Sequence, residues 1–153
     1  MAKRLFYSDG LFFSCTRCST CCRYESGYVF LSEKDLELLA AEQKMRRGDF
    51  IRAYCRWVRP EGRKEYLSLK EKPGYDCIFW NNGCAVYRAR PLQCRSFPFW
   101  DSVLSSRASW EAAGTSCPGM GKGEFHNPAQ IEACLKARLA EPVIIRGTTL
   151  PGV

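Results

Sequence analysis

The chain has 153 residues, ten of them cysteine, with 46% apolar residues and a formal net charge of +7. That is the size of one domain, 1–153, with a modest core that a metal staple would help. Its single histidine excludes, within one chain, metal sites built on three histidines or on two histidines and a carboxylate. No run approaches the ~18 apolar residues of a spanning helix. The start, MAKRLFYSDG, lacks the apolar core of a signal peptide. The expectation is a cytoplasmic protein with no membrane segment, where thiols stay reduced and clustered cysteines bind metal more often than they pair.

The first element is CTRCSTCC, with Cys15, Cys18, Cys21 and Cys22 in a C-x2-C-x2-C-C pattern. Two cysteines separated by two residues can turn both sulfurs onto one ion, and a third at the same interval matches the start of many iron–sulfur runs. Adjacent Cys21 and Cys22 diverge, so they imply two nearby centres, or one ligand and one accompanying thiol. GYVFL (27–31) is β-prone. Ser32 then caps a helix over SEKDLELLAAEQKMRR, with Glu33 and Asp35 in its first turn, Arg46 and Arg47 in its last, and Gly48 as its stop. Asp49 caps a shorter helix, Phe50 to Trp57, burying Phe50, Tyr54 and Trp57.

Arg59-Pro60-Glu61-Gly62 is a turn, YLSLK (66–70) alternates as a strand, and Lys72-Pro73-Gly74 is a second turn. In CIFWNNGCAVY, Asn82-Gly83 signals a tight turn that sets Cys77 and Cys84 at the ends of a small knuckle. Pro91 opens a short helix carrying Cys94 and Arg95. The stretch 100–123, which includes Cys117, reads as loop. Asn127 caps a last helix, about 128–140, with Pro128 at its first position and Ile131, Leu135 and Leu139 as its buried stripe.

Cys77, Cys84, Cys94 and Cys117 form the second constellation. With the first it makes eight thiols, enough for two four-coordinate ions, for one 4Fe–4S cluster plus a zinc, or for a single cluster with spare thiols. Cys55 and Cys134 lie in apolar helical patterns and read as small buried hydrophobes. His126 reads as a surface loop residue. Arg17, Arg23, Arg88, Arg90 and Arg95 flank the cysteines. As an alternative to solvated charge, they would neutralise thiolates and donate hydrogen bonds to sulfur, with Arg23, Arg88, Arg90 and Arg95 the cofactor-binding candidates. Four thiolates on a divalent ion leave about −2, so part of the basic excess is counter-charge for sulfur. Phe97, Phe99 and Trp100 are expected to wall the site from water. GMGKG (119–123) follows a loop and not a strand, so it is not a nucleotide site.

Three segments, CTRCSTCCR (15–23), CIFWNNGCAVYRARPLQCRSFPF (77–99) and CPG (117–119), resemble the CxxCxxCC family of YkgJ-type cysteine-cluster proteins, labelled zinc- or iron-chelating domains. The likeness covers about 12–123. It implies metal chelation. Many members carry an iron–sulfur oxidoreductase label, and the flagellin lysine methylase has a similar cluster.

The fold expected is a small α+β domain, with irregular cysteine-rich loops stapled by metal onto two to three helices and a few short strands. The function expected is a protein that binds an iron–sulfur cluster, 4Fe–4S first, or zinc, with a redox role and a redox or protein partner. The alternative is a structural-zinc module engaging RNA, a ribosome or an acidic protein. A third reading, by analogy with the methylase, is an enzyme modifying protein side chains.

Overall fold

The computed structural model describes residues 4–23 and 27–147. In chain order the elements are β1 (Leu11–Phe13), a 3₁₀ turn (Thr20–Cys22), α1 (Glu33–Glu42), α2 (Arg47–Tyr54), β2 (Cys55–Val58), β3 (Tyr66–Leu69), a second 3₁₀ turn (Tyr87–Ala89), α3 (Leu92–Ser96), α4 (Asp101–Leu104), α5 (Arg107–Gly114), β4 (Met120–His126) and α6 (Pro128–Ala140). The class is α+β with two small sheets, as the sequence implies. The chain forms two compact units, Met1–Thr20 with Ser96–Ala140, and Cys21–Arg95 with Glu141–Val153. Among the described residues no helix is long and apolar enough to cross a membrane.

In the second unit, α1 begins with a reciprocal cap. Ser32 Oγ accepts the Asp35 N–H at 3.1 Å, and Asp35 Oδ2 accepts the Ser32 N–H at 2.9 Å. Leu36, Leu39 and Ala40 turn into the core with Leu31, Phe50, Leu67 and Val86. The helix stops earlier than its sequence suggests. Lys44 takes a left-handed φ of 53°; its N–H donates to Ala41 O at 3.0 Å, and Met45 N–H donates to Ala40 O at 2.9 Å. This is a Schellman ending with lysine where glycine is usual, so no glycine marks it. Arg46 and Arg47 therefore open α2 and do not close α1, and Gly48 lies inside α2.

Asp49 sits in the first turn of α2 and is not its cap, which is Arg46. Trp57 and Cys55 belong to β2, which pairs antiparallel with β3 (Cys55↔Leu69, Val58↔Tyr66), so the helix expected to reach Trp57 ends at Tyr54. The β-prone 27–31 run contributes a bridge, Phe30↔Ser68, alongside β3.

In the first unit, β1 pairs antiparallel with β4 (Leu11↔His126, Phe12↔Phe125), over a core of Tyr7, Leu11, Phe99, Val103, Leu104, Trp110, Met120 and Ile131. The stretch expected as loop thus contains α4, α5 and most of β4. Ser106 caps α5 by accepting the Ser109 N–H, and Trp110 is its only buried residue, too sparse an apolar pattern to announce a helix. β4 exposes Gly121 to Phe125, so pairing with β1, not residue preference, makes it a strand.

Asn127 caps α6 as expected, accepting the Gln130 N–H at 2.9 Å while Gln130 Oε1 accepts the Asn127 N–H at 2.8 Å. The expected stripe is shorter than three residues. Ile131 is fully buried, Leu135 is partly so, and Leu139 is 82% exposed, because the core ends short of the last turn.

Buried Tyr7 donates its O–H to Glu132 Oε1 at 2.7 Å. That hydrogen bond, with burial second, raises the phenol from 10.0 to about 12. The folded state holds its proton more tightly than the unfolded chain does. The stabilisation is therefore whole below pH 10 and is lost as pH rises from 10 to about 12. Denaturant unfolding of wild type and Tyr7→Phe at a series of pH values is expected to show a gap of about 1.5 kcal/mol or more below pH 10 that closes above it.

Candidate metal centre

The second unit gathers Cys21, Cys22, Cys77, Cys84 and Cys94. Cys21 and Cys22 lie in the first 3₁₀ turn, and Cys77 is tied to it by its N–H, which donates to Cys22 O at 2.7 Å. Trp80 and Cys84 bridge across the Asn82-Gly83 turn. There Asn82 and Gly83 take φ values of 53° and 133°, the second of which glycine alone accepts without strain. The expected Asn82-Gly83 turn is present, with Trp80 and not Cys77 opposite Cys84; Cys77 bridges Glu71. Beyond it, buried Val86, Ala89 and Leu92 pin the chain to the unit. Pro91 O accepts the N–H groups of Cys94 and Arg95 at 2.9 and 3.0 Å, which fixes the start of α3.

Electrostatics tie these thiols together. Burial is the main force raising Cys77, Cys84 and Cys94, and negative charge on neighbouring sulfurs adds to it. Against this, a backbone N–H from Phe79 favours the Cys77 thiolate and one from Val86 favours Cys84. The Arg90 charge favours thiolate at Cys21, Cys84 and Cys94. The Cys21 and Cys22 sulfurs lie 3.9 Å apart, within hydrogen-bonding reach. The bond from Cys22 holds Cys21 down at about 6 and drives Cys22 up.

The four arginine candidates fare differently. Arg90 stacks on Tyr87 at 3.7 Å with its Nε on Tyr87 O at 3.0 Å. Arg23 pairs with Asp76 at 3.0 Å and stacks on Trp80 at 3.7 Å. Arg95 donates to Arg90 O at 2.8 Å and faces Asp35 at 3.8 Å. Arg88 is exposed. Lys72, which the sequence did not single out, favours the Cys77 thiolate and donates to Trp80 O at 2.6 Å. It precedes Cys77 closely in the chain, across the turn in which the Lys72 N–H donates to Asp76 O at 2.7 Å.

The first unit holds Cys15, Cys18 and Cys117. Cys15 Sγ accepts the Arg17 N–H at 3.4 Å, the same two-residue amide-to-sulfur spacing as at Cys77 and Cys84. Cys18 donates to Thr20 Oγ1 at 3.4 Å. Arg17 and Ser19 both take left-handed φ values, 56° and 67°. Cys117 leads into Gly119, whose O accepts the Ser14 N–H at 3.3 Å. A Cβ at Gly119 would lie 2.1 Å from Ser14 O, and one at Gly123 2.4 Å from Ser14 Oγ. The glycine-rich 119–123 run thus makes room for Ser14, the residue that leads into Cys15.

The remaining residues have structural places. Cys55 is buried, its thiol raised to about 12 by burial, as its reading as a small hydrophobe implies, though from a strand and not a helix. Cys134 is half-buried on α6. His126 ends β4 and is not in a loop; its Nε2 lies 2.9 Å from Phe13 O, and its ring packs on Phe99 at 4.9 Å. Phe99 stacks on Trp110 at 6.1 Å and Phe97 meets Trp100 at 5.0 Å, so these aromatics build the first unit's core, against which Cys117 packs.

No disulfide joins the cysteines of the described residues. Among the described residues no three cysteine, histidine or acidic side chains stand in ligating geometry. The donor set fits a thiolate-held metal: soft sulfurs, backbone amides aimed at them, and guanidinium counter-charge. Trp80 Nε1, in the Cys84 knuckle, is also buried without a hydrogen-bond partner among the described residues.

A family model described as "Putative zinc- or iron-chelating domain" matches residues 14–118. The chain belongs to the CxxCxxCC family. The CxxCxxCC match begins at Ser14, the residue clamped by glycines, and ends at Pro118, so Cys134 and α6 lie beyond it. An uncharacterized protein of Methanocaldococcus jannaschii is 27% identical over 104 residues, which is 66% of this chain and 52% of that protein. The chain spans about half the length of this curated relative. No solved structure matches it.

Gly119→Ala is expected to lower stability by about 1–3 kcal/mol, because backbone must shift. Gly114→Ala, whose Cβ would sit 3.9 Å from Met120 Cβ at the end of α5, is expected to be neutral or stabilising by up to about 1 kcal/mol. Thermal unfolding of the two variants side by side checks the contrast.

Proposed function

We propose that the protein binds metal through thiolates, and that four of Cys21, Cys22, Cys77, Cys84 and Cys94 supply the ligands of an iron–sulfur cluster. Cys15, Cys18 and Cys117 form a further thiol set. The observation that carries the reading is the gathering of five thiols in one unit, where burial raises Cys77, Cys84 and Cys94 while backbone amides at Cys77 and Cys84 and the Arg90 charge at Cys21, Cys84 and Cys94 favour the thiolate. Four of them meet the ligand count of a 4Fe–4S cluster, and the fifth is left to accompany it. A cluster would supply one-electron transfer, and donors to sulfur with nearby positive charge set its potential.

Zinc at the same thiolates is the competing occupant, since softness does not separate the two. The RNA-binding alternative has less support. Arg23, Arg56 and Arg146 are engaged with carboxylates and aromatic rings, not free on a face.

Anaerobic purification with iron, sulfide and zinc analysis is the test. Matching iron and sulfide with broad visible absorption is the expected outcome; colourless protein with stoichiometric zinc would sink the cluster. Cys94→Ser is expected to lose most of the metal. Cys55→Ala is expected to keep it, at a stability cost of about 1 kcal/mol. Equal metal content in both variants would remove Cys94 from the site.

A further inference from the structure

Asp35 is fully buried, and its two oxygens serve different parts of the second unit. Oδ2 closes the cap of α1 on the Ser32 N–H at 2.9 Å. Oδ1 reaches across to the Leu92 N–H at 2.8 Å, the first residue of α3. It also faces Arg95 Nη2 at 3.8 Å. Arg95 in turn donates from Nε to Arg90 O at 2.8 Å. One carboxylate therefore holds the helix that carries Cys94, and through Arg95 the loop that carries Arg90.

The α1 cap needs only one of these oxygens. A buried carboxylate is costly unless each oxygen is paired, and the Leu92 N–H is an amide that its own short helix cannot satisfy. A carboxylate can accept from both N–H groups at once. An asparagine cannot, since its NH₂ would face either Ser32 N–H or Leu92 N–H as donor against donor.

We propose that Asp35 is a positioning residue for the thiolate centre. By binding the Leu92 N–H and Arg95, it sets where Cys94 and Arg90 stand relative to Cys21, Cys77 and Cys84. The inference rests on the metal-binding reading above and adds to it a residue remote in sequence from every cysteine constellation.

The test uses the full-length chain, stripped of metal anaerobically and titrated with cobalt(II), whose charge-transfer absorption reports thiolate ligation. Wild type, Asp35→Asn and Ser32→Ala are compared. Ser32→Ala loosens the same cap but leaves the Leu92 bond in place. Asp35→Asn is expected to bind cobalt roughly tenfold more weakly or worse, with a diminished thiolate band, while Ser32→Ala titrates like wild type. Alkylation located by peptide mass spectrometry gives a readout independent of metal. In Asp35→Asn, Cys94 is expected to label severalfold faster while buried Cys55 stays protected.

Equal cobalt affinity and band intensity in wild type and Asp35→Asn would reduce Asp35 to a helix cap, as would Cys55 and Cys94 becoming reactive together. If Asp35→Asn does not fold, Arg95→Gln at its half-exposed position takes its place, with faster Cys94 labelling supporting the proposal and an unchanged rate overturning it. Absence of any thiolate–cobalt band in wild type would instead overturn the metal reading itself and, with it, this role for Asp35.

Discussion

Sulfurs gathered in a small folded unit carry an electrostatic conflict. Each thiol must ionise to bind metal, yet burial and the charge of its neighbours both oppose ionisation. The second unit shows that opposition at Cys77, Cys84 and Cys94, all raised chiefly by burial. It also shows the countermeasures. Amide N–H groups two residues on favour the thiolates of Cys77 and Cys84, Cys22 gives its hydrogen bond to Cys21, and the Arg90 guanidinium is steadied on Tyr87. Much of the local architecture serves this balance: the Asn82-Gly83 turn, the buried Val86 and Ala89 that hold the following chain, and the Pro91 carbonyl that starts α3.

The apolar core anchors the cysteine-bearing segments. Leu31, Leu36, Leu39, Phe50, Leu67 and Val86 form one buried cluster, and the thiol-bearing segments leave it by short, pinned steps. In the first unit the same task falls to the β1–β4 ladder, where Gly119 and Gly123 let the backbone close over Ser14. A glycine-rich run that could be taken for flexibility, or for a phosphate loop, is there a close-packing device.

Much of this was legible from local chemistry. The Ser32 and Asn127 caps, the Asn82-Gly83 turn, the β3 strand and the helix after Pro91 all stand where residue type and spacing put them. Each depends on interactions within a few residues, so the signal is written nearby. The errors share a different cause. The α1 terminus departs from the sequence pattern because Lys44 adopts a left-handed conformation that sequence associates with glycine. The 100–123 stretch carries little local signal because α5 buries one residue and β4 pairs with a strand far off in sequence. The Leu139 end of the α6 stripe failed because periodicity cannot tell how far the opposing core extends.

For the candidate centre, the sequence names the candidate donors. Ten cysteines, one histidine and the C-x2-C-x2-C-C spacing favour thiolate ligands over histidine-rich sites and bring the CxxCxxCC family into view, because ligand chemistry belongs to side chains and their short-range spacing. Tertiary structure alone decided which thiols share a unit, which arginine faces them and which are spent on carboxylates, and that Asp35 couples α1 to the Cys94 helix. Those relations depend on distances between residues far apart in the chain, and such distances are set by packing of the core rather than by any local preference.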